Sequence, residues 1–345
     1  MSSWKTYVSQ TESLPALEQV AERYAVSITP AMEACIASEA PHDPIRQQFI
    51  PQAEELITHP DELADPIGDK LHSPLRGLVH RYPDRVLLTL THTCPVYCRF
   101  CFRREVVGPN SHGAHKPLTE AELEAVCAYI AGDSNIWEVI FTGGDPLALS
   151  PQRLGHAVER LGTIAHVKIL RWHTRVPVVA PSLITPTRIA ALRASSKTPY
   201  VVIHSNHAKE WTDAARQACA DLADAGIPLL AQSVLLRGIN DTPQALEDLM
   251  RTLVENRVKP YYLHQGDLAP GTAHFRTSIA HGQSLMKGLR GHVSGLCQPT
   301  YILDIPGGHG KSPIGPEYLS MHAERMEVED FRGKKHPYPR PYKER

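Results

Sequence analysis

The chain has 345 residues, 42% of them hydrophobic and 21% charged, enough for one large core or two modest ones. Lysine and arginine number 36 against 37 aspartate and glutamate, so no global field favours nucleic acid, an anionic membrane or a polyanion, and a small-molecule partner is expected. No basic stretch is followed by an apolar run at the start, and nowhere do eighteen apolar residues run together, so a cytoplasmic protein without membrane association is expected.

Residues 1–80 read as a helical N-terminal extension, with short helical stretches (LPALEQVAERYA, TPAMEACIASEA, IRQQFIPQAEELI) broken at Pro-containing turns such as Asp43-Pro44 and Asp65-Pro66. After Pro83-Asp84 the pattern changes to short apolar runs alternating with helical segments. Strands are expected at 86–91, 137–142, 167–173, 200–204, 228–232, 260–264 and 301–304. The intervening helices carry start signals, among them Thr119 with Glu122 three residues on, and Thr242-Pro243. Strands alternating with helices imply an α/β fold with a parallel sheet, here a partial (β/α)6-type barrel over residues 81–320. Residues 321–345, basic and rich in proline, are expected to form an extended tail.

In such barrels the chemistry gathers where strands end. The residues at or just past these ends are Cys94, Gly143-Gly144-Asp145, His173, His204, Gln232, Asp267 and Asp304. Three of the seven cysteines fall within eight residues as Cys94-x3-Cys98-x2-Cys101, and the rest are scattered singly, which is metal-ligand clustering rather than a disulfide framework. Soft thiolates suit an iron–sulfur cluster or zinc, and a zinc site would close with a fourth ligand such as His92 or a distant cysteine. Gly143-Gly144-Asp145-Pro146, taken alone, is a turn.

The cysteine spacing, with Phe100 before the last thiol, resembles that of the radical S-adenosylmethionine superfamily. That resemblance implies a 4Fe-4S cluster on the three cysteines, an open iron for S-adenosylmethionine, and a contact from the Gly143-Gly144-Asp145 loop to its amino group. Longer blocks narrow the family. HRYPDRVLLTLTHTCPVYCRFCFRR, FTGGDPL, AQSVLLRGIND, PYYLHQGDL, HFRTSI and LRGHVSGLCQPTYILDIPGGHGKSP, spread over residues 75–320, closely resemble the lysine 2,3-aminomutase family.

The resemblance makes Lys311, on a glycine-rich and therefore mobile loop, the lysine that holds pyridoxal phosphate. The nucleotide-loop alternative fails on spacing and on Pro313 directly after Ser312. Arg81, Tyr82 and Arg85 are implied to hold the cofactor phosphate, and His204 and Gln232 to line the cofactors. Viewed alone, Arg81 and Arg85 are ordinary solvated charges and His204 a core histidine. The family commonly has Asn where this chain has Ala231, so one polar contact in that wall is expected to be missing. Arg103 is implied to grip the substrate carboxylate, and the paired acids Asp267 and Asp304 its distal ammonium, although either acid taken singly is a turn cap.

The implied reaction starts with one-electron reduction of the cluster by a carrier such as flavodoxin or ferredoxin. Cleavage of S-adenosylmethionine then yields a radical that removes hydrogen from carbon 3 of lysine, a position too weakly acidic for a side-chain base. Migration of the 2-amino group gives β-lysine. Zinc is not expected, because the family's zinc cysteine is Thr242 here and no cysteine follows Cys297. Short members of this kind often supply β-lysine for modification of elongation factor P. A symmetric homo-oligomer is expected, with a dimer favoured. The competing readings are an aminomutase for arginine or glutamate, and a non-catalytic iron–sulfur electron-transfer or binding protein.

Overall fold

The computed structural model describes residues 4–8, 13–36, 42–109, 116–321 and 326–339. Three short helices open the chain: α1 (Leu14–Arg23), α2 (Pro30–Glu33) and α3 (Pro44–Phe49). Each has a proline in its first turn, where the missing N–H is harmless. Asp43 caps α3 by accepting from the Ile45 and Arg46 amides at 2.8 and 3.0 Å. Helix α2 is shorter than expected, and the continuation of that stretch, 37–41, lies outside the described residues.

Nine strands then form one sheet in chain order: β1 (Leu78–Tyr82), β2 (Arg85–Thr91), β3 (Glu138–Gly143), β4 (Ile169–Thr174), β5 (Thr198–His204), β6 (Leu229–Val234), β7 (Val258–His264), β8 (Thr300–Asp304) and β9 (Lys311–Pro313). Strands β2 to β8 are parallel, while β1 and β9 run antiparallel at the two edges. All seven expected strands are present, and the two antiparallel edge strands are additions. The crossovers carry α4 (Glu120–Gly132), α5 (Pro151–Gly162), α6 (Val176–Val179), α7 (Pro186–Leu192), α8 (Asp213–Asp224), α9 (Pro243–Glu255) and α10 (Ile279–Leu289). Thr119 and Glu122 form the expected capping box, and Thr242 caps α9. The result is a half-open barrel of six βα units followed by a seventh parallel strand, β8, and left open between β9 and β1. Of residues 321–345, expected as an extended tail, the described residues 326–338 instead join Leu319–Met321 in a small antiparallel sheet, β10 (Leu319–Met321), β11 (Met326–Glu329) and β12 (Lys335–Tyr338).

Period-two alternation divides the barrel into two environments. Leu88, Val139, Phe141, Leu170, Trp172, Val201, Ile203 and Leu263 face the helices and are almost fully buried. Phe141 and Trp172, paired across β3 and β4, stack at 3.7 Å with rings 2° from parallel. The opposite phase lines the interior and is polar at most strand ends.

Among its described residues, the segment between β2 and α4, which carries the cysteines, has turns but no ladder, and takes further partners from the N-terminal segment. Tyr97 N donates to Ser27 O at 3.1 Å, and Arg99 N to Gln48 O at 2.8 Å. The Arg99 guanidinium grips Glu55 with contacts of 2.7 to 3.1 Å, and Arg104 pairs with the same carboxylate. All three charged groups are out of water. Burial would raise the Glu55 pKa, but the two guanidinium groups hold it below the usual carboxylate range. Removing that charge strands two buried cations. Glu55→Gln is expected to cost about 3–5 kcal/mol, read as a lower denaturant midpoint. An unchanged midpoint would rule out this anchoring role.

Candidate active site

All fifteen residues to which the resemblance gives a site role, and His173 with them, line one cavity of about 570 Å³ inside the barrel. They reach it from the cysteine loop, the ends of several strands and the two sheet edges.

Cys94, Cys98 and Cys101 stand at the mouth beyond β2. Among the described residues, the only three Cys, His, Asp or Glu ligand atoms grouped within 4.8 Å of one another belong to Glu120, Glu124 and His156. At least one pair of the three thiols is therefore more than 4.8 Å apart, wider than the roughly 3.8 Å edge of a tetrahedral thiolate zinc site. Burial, the Asp145 charge and the neighbouring thiols raise Cys94 well above its usual range, and burial with Cys98 raises Cys101 to about 11, so only a cation beside them would keep these sulfurs together as thiolates. Arg175 donates to Cys98 Sγ at 2.9 Å and is itself held by Gln48 and Glu210.

The Gly143-Gly144 loop packs directly on the cysteine loop. Gly143 has φ +106°, and a Cβ on Gly144 would lie 2.5 Å from Thr93 O. Asp145, by contrast, spends its carboxylate within the protein, accepting from Leu147 N at 3.0 Å, Thr174 Oγ1 at 2.7 Å and Arg175 N at 2.7 Å. It ties the end of β3 to the end of β4.

At the other edge, Lys311 is the first residue of β9 rather than part of a free loop. Its amide donates to Tyr82 Oη at 2.8 Å, and its Nζ lies 2.5 and 2.6 Å from the two Asp304 oxygens. Gly310, at φ +89°, lets Tyr82 Oη approach to where a Cβ would be 2.8 Å away. The Tyr82 hydroxyl thus joins the β1 edge to β9. Burial alone would raise Asp304, but His264 and Lys311 hold it well below the carboxylate range. Asp267 has no hydrogen bond or ion pair among the described residues, and burial with the nearby Asp304 charge pushes it up to about 7.

Arg81 and Arg103 share a partner that the sequence did not reveal. Asp69 Oδ1 accepts from Arg81 at 2.9 Å and Oδ2 from Arg103 at 2.8 Å, while Asp65 shapes that turn through the Asp69 and Lys70 amides. Arg103 also reaches Thr142 Oγ1 at 3.1 Å. Arg85 stacks on the Tyr82 ring at 3.9 Å and pairs with Asp84. His204 and Gln232 sit side by side on β5 and β6. His173, His204 and His264 each leave Nε2 buried and unpartnered, and burial first of all keeps the three imidazoles neutral. Ala231 is on the opposite face from Gln232, in the core, so its contact is with packing rather than with the cavity.

The family models agree with this geometry. A radical SAM superfamily model matches residues 88–253, and a lysine-2,3-aminomutase model matches 286–344. An L-lysine 2,3-aminomutase from Acetoanaerobium sticklandii is 40% identical over 331 residues, 95% of this chain and 79% of that one. The chain belongs to the lysine 2,3-aminomutase family. A further member, from Escherichia coli, is 37% identical over 79% of this chain and 78% of its own. A glutamate 2,3-aminomutase from Clostridioides difficile is 36% identical over 88% of this chain and 70% of its own. As a radical SAM member of this family, the chain is an isomerase that uses a 4Fe-4S cluster and S-adenosylmethionine.

Gly144→Ala forces the backbone at Thr93, one residue before Cys94, to move. The variant is expected to lose about 1–3 kcal/mol of stability and, after anaerobic reconstitution, to bind less iron and sulfide per chain than the wild type. Full iron content would show that the cysteine loop tolerates the shift.

Proposed function

We propose that this chain is a lysine 2,3-aminomutase, moving the 2-amino group of L-lysine to carbon 3 to give β-lysine. The observation that carries the reading is the seat at Asp304. A primary ammonium on a four-carbon stem, that of Lys311, already lies there, with the unpaired acid Asp267 in the same wall. Two acids repel the distal carboxylate of glutamate and leave an apolar amino acid without compensation for a buried charge.

In this reading Cys94, Cys98 and Cys101 hold the cluster, and the backbone of Gly143 and Gly144, on the side away from the cysteine loop, lies against S-adenosylmethionine. Lys311 carries pyridoxal phosphate, a group the cavity fits through the cations Arg81 and Arg85, the Tyr82 hydroxyl and the unpartnered Nε2 of His204 beside Gln232. Cluster, S-adenosylmethionine and pyridoxal phosphate together supply radical chemistry that side chains cannot. The chain's own residues bind and orient. Arg103 turns its planar fork to the substrate carboxylate, Asp69 keeps Arg103 and Arg81 aimed inward, and Asp304 with Asp267 fixes the far end of lysine. Residues 1–80 thereby serve the site as much as the barrel over 81–320 does, because Glu55 and Asp69 come from them.

A one-electron carrier of the flavodoxin or ferredoxin type and a homodimeric assembly complete the proposal. Zinc has no part in it, since Thr242 acts as a helix cap that accepts from Ala245 N at 3.2 Å. Among the described residues no helix is long and apolar enough to cross a membrane.

Anaerobic incubation of the reconstituted protein with lysine, S-adenosylmethionine, pyridoxal phosphate and a strong reductant should yield β-lysine on chiral analysis. S-adenosylmethionine cleavage without β-lysine would discard lysine as the substrate. Because Lys311 itself occupies Asp304, lysine should bind the pyridoxal-free wild type more weakly than pyridoxal-free Lys311→Ala, as read by calorimetry. Asp267 must be ionised to attract a cation, so the KM for lysine should fall as pH rises through about 7, and Asp267→Asn should flatten that dependence.

A further inference from the structure

His264 ends β7 with its ring in the cavity wall beside Asp304. Nδ1 lies 3.3 Å from Asp304 Oδ2, and Nε2 is buried without a partner. Tyr262 packs edge-on against the ring, with centroids 5.8 Å apart at 83°, which limits its turning. Among the described residues, only Lys311 and His264 donate to the Asp304 carboxylate. A carboxylate on a broad terminal torsion has no fixed direction unless a donor gives it one.

Lys311 cannot remain that donor if it carries the cofactor, so the imidazole is then the protein group left to aim Asp304. The ring is suited to this task. Held neutral first of all by its burial, it donates from Nδ1 and keeps Nε2 as an acceptor. An ammonium offers three donors, and Asp304, Asp267 and an imidazole lone pair together offer matching acceptors.

We propose that His264 is a positioning residue for recognition of the substrate's distal ammonium: it aims Asp304 once Lys311 has left, and so sets selectivity for a cationic over an apolar amino acid of equal length. The inference rests on the lysine reading of the site. No signal local to the sequence marks His264, which stands in an apolar strand three residues before Asp267.

The test compares binding of L-lysine and L-norleucine, the same carbon chain without the distal ammonium, by calorimetry. The enzyme is reconstituted with cluster, pyridoxal phosphate and S-adenosylmethionine and left unreduced, so that no turnover occurs. His264→Leu should weaken lysine by about tenfold or more while changing norleucine by no more than about twofold, the scale of a lost hydrogen bond to a charged group. His264→Asn, which keeps a donor near Nδ1, should recover most of the lysine affinity, and His264→Gln should not. Retained norleucine binding also reports that the variant is folded. Should His264→Leu fail to fold, the order of His264→Asn above His264→Gln decides the question. Equal weakening of both ligands, or unchanged lysine affinity, overturns the proposal. A wild type with no preference for lysine over norleucine overturns the lysine reading itself, and this inference with it.

Discussion

The fold of the cysteine loop depends on a carboxylate that never meets solvent. Among the described residues between β2 and α4 there is no ladder, yet the three sulfurs are held against one another and against the ends of neighbouring strands. Glu55, gripped by Arg99 and Arg104, supplies the fixed point. Burying three charges is costly, and an apolar replacement of the same volume could stabilise the fold as well. What the ion cluster adds is direction: guanidinium forks accept few geometries, so the loop has one seat.

A second buried network extends this control to the thiols themselves. Arg175 touches Cys98 and is oriented by Gln48 from α3 and by Glu210, which also accepts from the Asn206 and His207 amides. A displacement of α3 would therefore reach a thiol through one side chain. The N-terminal segment is an integral wall of the site, although it has no strand in the parallel part of the sheet.

The cavity is possible because the barrel does not close. No ladder joins β9 to β1. Instead, the Tyr82 hydroxyl meets the Lys311 amide, and the ring nitrogen of His72 meets the Gly308 carbonyl at 3.0 Å. Side-chain contacts at this seam leave room that a ninth pair of strands would have filled. Arg81, Arg85 and Arg103 share this interior with Asp267, Asp304 and Lys311, so the cavity offers both signs of charge to a ligand.

The sequence by itself determined the parallel strands, the grouping of three cysteines at a strand end and the membership of one cavity by residues as far apart as Arg81 and Lys311. Each of these rests on a local signal: period-two hydrophobicity, thiol spacing, or blocks of family-like residues at strand ends. The two edge strands escaped because β1 is only partly apolar and β9 is three residues long. The tail sheet escaped because its strands are short and Pro337 lies in one of them. Only the tertiary structure decided the roles of Glu55, Asp69 and Arg175, and the pairing of His264 with Asp304. A charged side chain in sequence reads as a solvated one. Its meaning changes only when residues tens to hundreds of positions away surround it, remove the water and leave a single partner within reach.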